Sequence, residues 1–361
     1  MKYLPDGLGL YIHIPFCRKK CKYCDFYSAC FCDSVYKEYF AALVREIKSW
    51  GGKITRPVDT VYIGGGTPSV TGGDIVPLIL AVRESFSLSC GAEITVECNP
   101  TSDPSFFEAA KKAGVNRLSI GVQAGDDGRL KALGRTHTVS DAVFAVNAAR
   151  KAGFDNISLD IMLALPESTV DTALFDAEFI CSLSPEHISA YILKIEPNTA
   201  FFAERERLAL PDDEQTARQY LAVCGFLRDR GYSHYEISNF ARENRESRHN
   251  LKYWRCEEYL GIGPSAHSFI SGRRFYYPRD IKAFIAGCEP VFDGTGGEKE
   301  EQIMLGLRLS RGVPLDSFGA DAVKRARELQ KAELVNISNG RVSLTEEGML
   351  VSNSVITELL L

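Results

Sequence analysis

Six short β-rich runs alternate with helix-patterned stretches through this chain, and that alternation constrains its fold more than any other feature. The runs are "LYIHI", "TVYIGGG", "EITVECN", "RLSIGVQ", "NISLDIMLAL" and "HISAYILKI". Between them, "YKEYFAALVREIKSW" places apolar residues at helical spacing, and "DPSFFEAAKKAG" reads as a capped helix closed by Gly114. Strand–helix repetition of this kind requires right-handed crossovers and a mainly parallel sheet. The six units end before about Glu196, and "YSHYEISNFA" offers a seventh strand. That falls short of the eight in a closed barrel, so the pattern predicts an α/β, open, partial barrel. Reactive residues should then gather at the carboxyl ends of the strands.

Beyond Tyr276 the texture changes. "EKEEQIMLGLRLSRGV" and "AVKRARELQKAE" read as helices, and Asn339-Gly340 between two β-rich runs is a hairpin signal. Helices followed by a hairpin predict a small, winged-helix-like α+β appendage. Such a fold can bind DNA, but the 42 basic and 47 acidic residues give a net charge of −5. That balance argues against a dedicated nucleic-acid binder. The opening residues lack the apolar core of a signal peptide, and "IVPLILAV" is too short to span a bilayer. The expectation is a cytoplasmic protein, whose eleven cysteines are thiols or metal ligands rather than disulfides. Cys30, Cys32, Cys90, Cys98, Cys181, Cys224, Cys256 and Cys288 are scattered and read as buried or incidental thiols.

Cys17, Cys21 and Cys24 are different, because they crowd into "HIPFCRKKCKYCDFYS". Structural zinc wants four closed ligands, usually as two pairs, and a single triplet does not supply them. Thioredoxin-like chemistry through Cys21 and Cys24 leaves Cys17 unexplained and follows a strand rather than opening a helix. His13 on its strand reads as packing or orienting a loop. A cubane iron–sulfur cluster held by three thiolates would leave one iron for an outside ligand. Polar residues recur where such a site would need them. Gly64, Gly65 and Gly66 end the second strand and permit close backbone approach, Glu97 ends the third, and Gln123 ends the fourth. Arg135 lies in "LGRTH" and Asp160 in the fifth strand.

The CxxxCxxC spacing resembles that of the radical S-adenosylmethionine (SAM) superfamily. The resemblance implies a 4Fe–4S cluster on Cys17, Cys21 and Cys24, whose open iron is chelated by the amine and carboxylate of SAM. One electron from the cluster then splits the sulfonium to a 5′-deoxyadenosyl radical. "YIHIPFC", "GGGTP", "GVNRLSIGVQ", "LGRTH", "YEISNFA", "RHNLKYW" and "YLGIGPSAHS" narrow it to the oxygen-independent coproporphyrinogen dehydrogenase-like family, over essentially the whole chain. Within that family, Tyr11, Tyr23, Gly65, Gly66, Thr67, Glu97, Gln123, Arg135 and Asp160 match positions that contact SAM. The implied organisation is a partial barrel of the (β/α)6 type over 1–240, a connecting segment over 241–280 and a winged-helix-like domain over 281–361.

The family holds a dehydrogenase, which turns propionates of coproporphyrinogen III into vinyl groups, and a heme-chaperone branch. The dehydrogenase carries an extra thiol where this chain has Phe26, and a long leading segment where sixteen residues precede Cys17. The chaperone branch carries an HNxxYW motif, here His249, Asn250, Tyr253 and Trp254. An imidazole can ligate heme iron, and the aromatic pair offers apolar faces with polar tips. His267 and Cys256 are competing ligands. The resemblance therefore implies a cytoplasmic heme chaperone with transient membrane association. Its partners would be heme, heme-accepting proteins, an electron donor and a second copy of itself, but no nucleic acid. The alternative is the dehydrogenase. Two stretches depart from the family pattern: "ALPEST" replaces a glycine-rich "GLPGQT"-like turn, and "VQAGDD" replaces "VQSFDD".

Overall fold

The computed structural model describes residues 7–361, in two compact units. The first holds the described residues up to Asp160 with Lys194–Arg207 and Glu258–Thr295; the second holds Ile161–Leu193, Leu208–Glu257 and Gly296–Leu361. In chain order the strands are β1 (Leu8–Ile14), β2 (Val58–Gly65), β3 (Leu88–Cys98), β4 (Arg117–Gln123) and β5 (Ile157–Leu163). They continue with β6 (His187–Ile192), β7 (Ser233–Glu236), β8 (Asn239–Ala241), β9 (Tyr259–Ile262), β10 (His267–Ile270), β11 (Arg273–Tyr276) and β12 (Val291–Thr295). Three more close the chain: β13 (Val313–Pro314), β14 (Val335–Ser338) and β15 (Arg341–Leu344). The helices needed below are α1 (Asp33–Gly51), α2 (Ile75–Ser85), α3 (Pro104–Ala113), α4 (Val139–Lys151), α5 (Val170–Ser182) and α6 (Asp213–Asp229). After them come α7 (Arg248–Trp254), α8 (Lys299–Gly306), α9 (Ala320–Lys331), α10 (Glu346–Leu350) and α11 (Ser352–Leu360).

In the first unit the strand order is β12-β11-β10-β9-β1-β2-β3-β4, followed by the amino half of β5. β9, β1, β2, β3 and β4 run parallel. β1 is covered on both faces, with Leu8, Leu10, Ile12 and Ile14 inaccessible on one and Gly9 and His13 buried beside half-buried Tyr11 on the other, as a central parallel strand requires. The crossover helices form where the sequence punctuates them. Asp103 caps α3 through the amide of Ser105, with Pro104 in its first turn, and Gly114 ends it at φ 100°. Thr138 and Asp141 form a reciprocal capping box on α4.

In the second unit the carboxyl half of β5 is followed by β6, β8 and β7. "YSHYEISNFA" does not supply one further parallel strand. It folds into the β7–β8 hairpin, with β8 antiparallel to β6. The physical reason is length, since two residues join β7 to β8 and a parallel crossover needs a dozen or more. Among the described residues the strands of neither unit close into a barrel. The carboxyl-terminal elements follow the expected pattern. β13, β15 and β14 form a small antiparallel sheet with α8 to α11 around them in sequence. The β14–β15 turn has both Asn339 and Gly340 at positive φ, 51° and 69°, the backbone a two-residue hairpin demands. Among the described residues no helix is long and apolar enough to cross a membrane.

Candidate functional site

Because β1, β2, β3 and β4 are parallel, their carboxyl ends lie at one edge, and the sequence-selected residues of the first unit collect there. Cys17 lies three residues beyond β1, in a two-residue strand (Phe16–Cys17) paired parallel with Ala29–Cys30, and the loop through Cys21 and Cys24 is held from several sides. The hydroxyl of Thr67 donates to Cys17 Sγ (3.4 Å), and Arg135 Nη1 donates to Cys21 Sγ (3.5 Å). The amide of Cys24 bonds the carbonyl of Cys21, and that of Lys22 bonds Leu133. Burial pushes the Cys17 and Cys24 thiols up, opposed by the Thr67 hydroxyl at the first and the Phe26 amide at the second. A bound cation would reverse that balance and hold the sulfurs as thiolates.

The donor set suits a cluster better than a single ion. Among the described residues, the set of three metal-capable groups with ligand atoms all within 4.8 Å of one another lies elsewhere, at Cys224, His234 and Glu346. The amino-terminal thiols are spread more widely, as sulfurs bonded to three different irons must be.

Glu97 organises the next part of the rim. Tyr62 Oη donates to its Oε1 (2.8 Å) and the Gly65 amide to its Oε2 (3.0 Å). Burial, with Asp160 nearby, pushes this carboxyl up to about 7 against those two hydrogen bonds. Asp160 accepts from Ser119 Oγ at 3.5 Å. Gln123, the last residue of β4, is buried at φ 78°. Arg135 donates to Asn99 Oδ1 (2.6 Å) and the Gly121 carbonyl (2.5 Å), and interacts with the phenol of Tyr23. Burial raises the Tyr23 phenol, so it stays neutral beside this guanidinium.

Sequence reasoning missed Asn99 and Tyr62. Asn99 bridges Arg135 to Thr67 through its Nδ2 (3.3 Å), and its signal was its place after Glu97 in "TVECNP".

His13 ties this rim to the cluster loop. Its Nε2 lies 2.9 Å from the Tyr27 carbonyl and its Nδ1 lies 2.9 Å from Tyr11 Oη. A carbonyl only accepts, so Nε2 carries the proton and Nδ1 accepts from Tyr11. Burial lowers the imidazole to about 4, keeping it neutral. The glycine turn packs against this residue: a Cβ on Gly65 would stand 2.6 Å from the His13 ring, and one on Gly66 2.6 Å from the Phe16 carbonyl. The missing side chains are thus needed first by the protein's own loop, and Gly65 also sits at φ 116°.

His249, Asn250, Tyr253 and Trp254 lie together on α7 in the second unit. Ser247 caps this helix by accepting from the Asn250 amide. His249 is fully buried, its Nε2 is 2.8 Å from Tyr253 Oη, and the two rings meet edge-on at 5.1 Å. Trp254 is half-buried, with the Arg308 guanidinium 5.6 Å from its ring. Arg308 Nη2 bonds Asn353, while its buried Nε has no hydrogen-bond partner. Cys256 stands two residues on, at φ 53°, with Sγ 3.8 Å from Glu301. His267 belongs to the first unit, where it is exposed and stacked on Tyr276.

Residues 11–180 match the family model of the radical SAM superfamily, and residues 299–351 match that of the HemN C-terminal domain. A protein named heme chaperone HemW from Mycobacterium tuberculosis is 35% identical, over 98% of this chain and 94% of its own length. The chain belongs to the HemW family. A HemW of Bacillus subtilis is 36% identical over 96% of this chain and 97% of its own. Among solved structures, the coproporphyrinogen III oxidase HemN of Escherichia coli has a TM-score of 0.83 and 23% identity, covering 99% of this chain and 91% of that one. At that identity the likeness carries the fold alone.

Within this HemW-family chain, the "ALPEST" turn keeps a glycine-like backbone without the glycines. Ala164 and Glu167, which stand where the family pattern has glycine, have φ of 56° and 62°. The turn is held by the Glu167 amide on Ala209 O (2.7 Å) and the Ser168 amide on Leu165 O (3.0 Å).

Proposed function

We propose that this chain is a heme chaperone that binds heme at the α7 segment and passes it to heme-requiring proteins. The observation that carries the reading is the His249–Trp254 motif, in a chain matched nearly end to end by proteins named heme chaperones. An imidazole, two aromatic faces and a guanidinium whose buried Nε lacks a partner are suited to a porphyrin bearing carboxylates. His249 is held by Tyr253, so ligation requires that hydrogen bond to open. Heme-accepting proteins, at the membrane or elsewhere, and a second copy of the chain are the further partners this reading includes.

The same proposal assigns Cys17, Cys21 and Cys24 to a 4Fe–4S cluster. SAM would be held by Tyr11, Tyr23, Gly65, Gly66, Thr67, Glu97, Gln123, Arg135 and Asp160. A cluster of this type supplies one electron to a SAM sulfonium. The protein's own residues fix the loop: Thr67 and Arg135 bond two of the sulfurs, and neutral His13 anchors the segment after Cys24 through Tyr27. Glu97 presents a carboxyl on which Tyr62 and Gly65 already converge.

The dehydrogenase reading is weaker, because Phe26 replaces the extra thiol and is 69% exposed at the loop. The deciding experiment uses anaerobically purified, reconstituted protein with heme titration and coproporphyrinogen turnover measured side by side. The expected outcome is saturable heme binding that weakens in His249→Ala, and less in Tyr253→Phe, with no decarboxylation. Multiple turnovers to protoporphyrinogen would overturn the chaperone assignment. Undiminished binding in a His249→Ala, Tyr253→Ala double variant would move the heme site elsewhere.

A further inference from the structure

Three side chains of the second unit, used by neither the cluster nor the heme assignment, converge on one point. Cys224 on α6, His234 on β7 and Glu346 at the start of α10 each place a ligand atom within 4.8 Å of the others. His234 Nδ1 is 3.8 Å from Glu346 Oε1. Its other nitrogen, Nε2, is 3.4 Å from Tyr220 Oη, whose hydroxyl proton is donated to the Ile237 carbonyl at 3.0 Å. The phenol oxygen can accept from Nε2–H, and in that tautomer Nδ1 would offer a metal the lone pair that faces the carboxylate. Without an ion His234 instead hydrogen-bonds Glu346, so a metal ion would take the place of that proton. A metal-bound histidine whose far nitrogen donates to a fixed oxygen is the usual second-sphere arrangement.

One edge of the site is close to metal-binding length, and no ligand atom lies more than 4.8 Å from another. From zinc bond lengths of about 2.0–2.3 Å, the edges of a tetrahedral site are roughly 3.4–3.6 Å. The His234–Glu346 gap is within a few tenths of an ångström of that. The imidazole is already oriented by stacking on Phe240, with centroids 4.2 Å apart and planes at 15°. Arg228 also bonds Glu346 Oε1 at 3.0 Å, and a carboxylate oxygen has a second lone pair for a metal. His234 and Glu346 line a cavity of about 750 Å³ with Arg228, Tyr232 and Met349, which gives an ion access and leaves room for a water ligand.

We infer that Cys224, His234 and Glu346 form a site for one borderline divalent cation of the zinc class, with a fourth position open to the cavity. A thiolate, an imidazole and a carboxylate together favour zinc or cobalt over magnesium or calcium. Binding releases the Cys224 proton to solvent and joins α6, β7 and the first turn of α10 through one ion.

The test uses the whole chain with Cys17→Ser, Cys21→Ser and Cys24→Ser, which removes the clustered thiols, while the remaining scattered ones are shared by every variant compared. Cobalt(II) titrated without oxygen should give a near-ultraviolet thiolate-to-cobalt band, saturating at about one ion per chain and displaced by zinc. Adding Cys224→Ser should abolish the band, and His234→Gln should weaken cobalt binding about tenfold or more. Should the Cys224→Ser chain fail to fold, Glu346→Gln and His234→Gln decide the matter by cobalt affinity alone. No band in the background protein, an equal band after Cys224→Ser, or unchanged affinity in both other variants would overturn the site.

Discussion

Two buried carboxyls, Glu97 and Glu236, are both pushed up to about 7 by burial. Glu236 lies outside the rim and is inaccessible to solvent. It accepts from the Ser238 amide at 3.2 Å and from Asn239 Nδ2, and these contacts do not offset its lost hydration. In the unfolded chain such a carboxyl ionises near 4.5, so between 4.5 and about 7 the folded protein holds the extra proton. Stability from this group is therefore present at low pH and lost as pH rises through that window. Relative to Glu236→Gln, the natural protein should lose about 1–3 kcal/mol between about pH 5 and pH 8. Urea unfolding at several pH values checks this, and a difference that stays flat would mean the carboxyl ionises normally. His13 shows a second consequence of burying a titratable group. A histidine on a β strand beside a cysteine loop is expected to orient that loop, and its bond to the Tyr27 carbonyl does so.

At the scale of elements, the ends of β2 and β5 use the left-handed backbone in opposite ways. After β2 the chain has glycine, and the space a Cβ would fill belongs to His13 and the Phe16 backbone. Gly66→Ala should displace the residue before Cys17, costing about 1–3 kcal/mol. Iron and sulfide per chain after reconstitution should fall; full loading at unchanged stability would contradict this packing. After β5 the chain has Ala164 and Glu167 at positive φ, each at a conformational disadvantage of about 1–2 kcal/mol compared with right-handed backbone. Glycine at both positions relieves that strain but loses more chain entropy, so Ala164→Gly with Glu167→Gly should stabilise by about 1 kcal/mol. A rise in thermal midpoint is the readout, and a fall would mean that the Glu167 side chain holds the turn.

On the scale of the whole molecule, the cluster loop and the α7 motif lie in different compact units. Thr67, Arg135 and His13 hold the loop, and Ser247, Tyr253 and Arg308 contact the helix motif. Sites that share no partners behave additively to about 0.5 kcal/mol. A Cys17→Ala, Cys21→Ala, Cys24→Ala chain should therefore lose its iron while binding heme within roughly twofold of the natural protein. Loss of heme affinity by tenfold or more alongside the iron would show the two sites to be coupled.

The sequence alone determined the strand–helix alternation, the parallel core, the α3 boundaries and the Asn339-Gly340 hairpin, because each rests on local periodicity or turn chemistry. It also determined the family, since the cysteine spacing and the strand-end motifs are contiguous signals. The β7–β8 hairpin was legible as strand-forming sequence but not in direction, which is set by pairing with β6. Only the tertiary structure brought Asn99 to Arg135 and Thr67, set the tautomer of His13, and buried His249 against Tyr253. It alone gathered Cys224, His234 and Glu346, which one-dimensional spacing leaves as a scattered thiol, a strand histidine and a helix-start glutamate. Contacts between residues far apart in sequence leave no periodic trace in it, and these contacts decide protonation, access and ligand geometry.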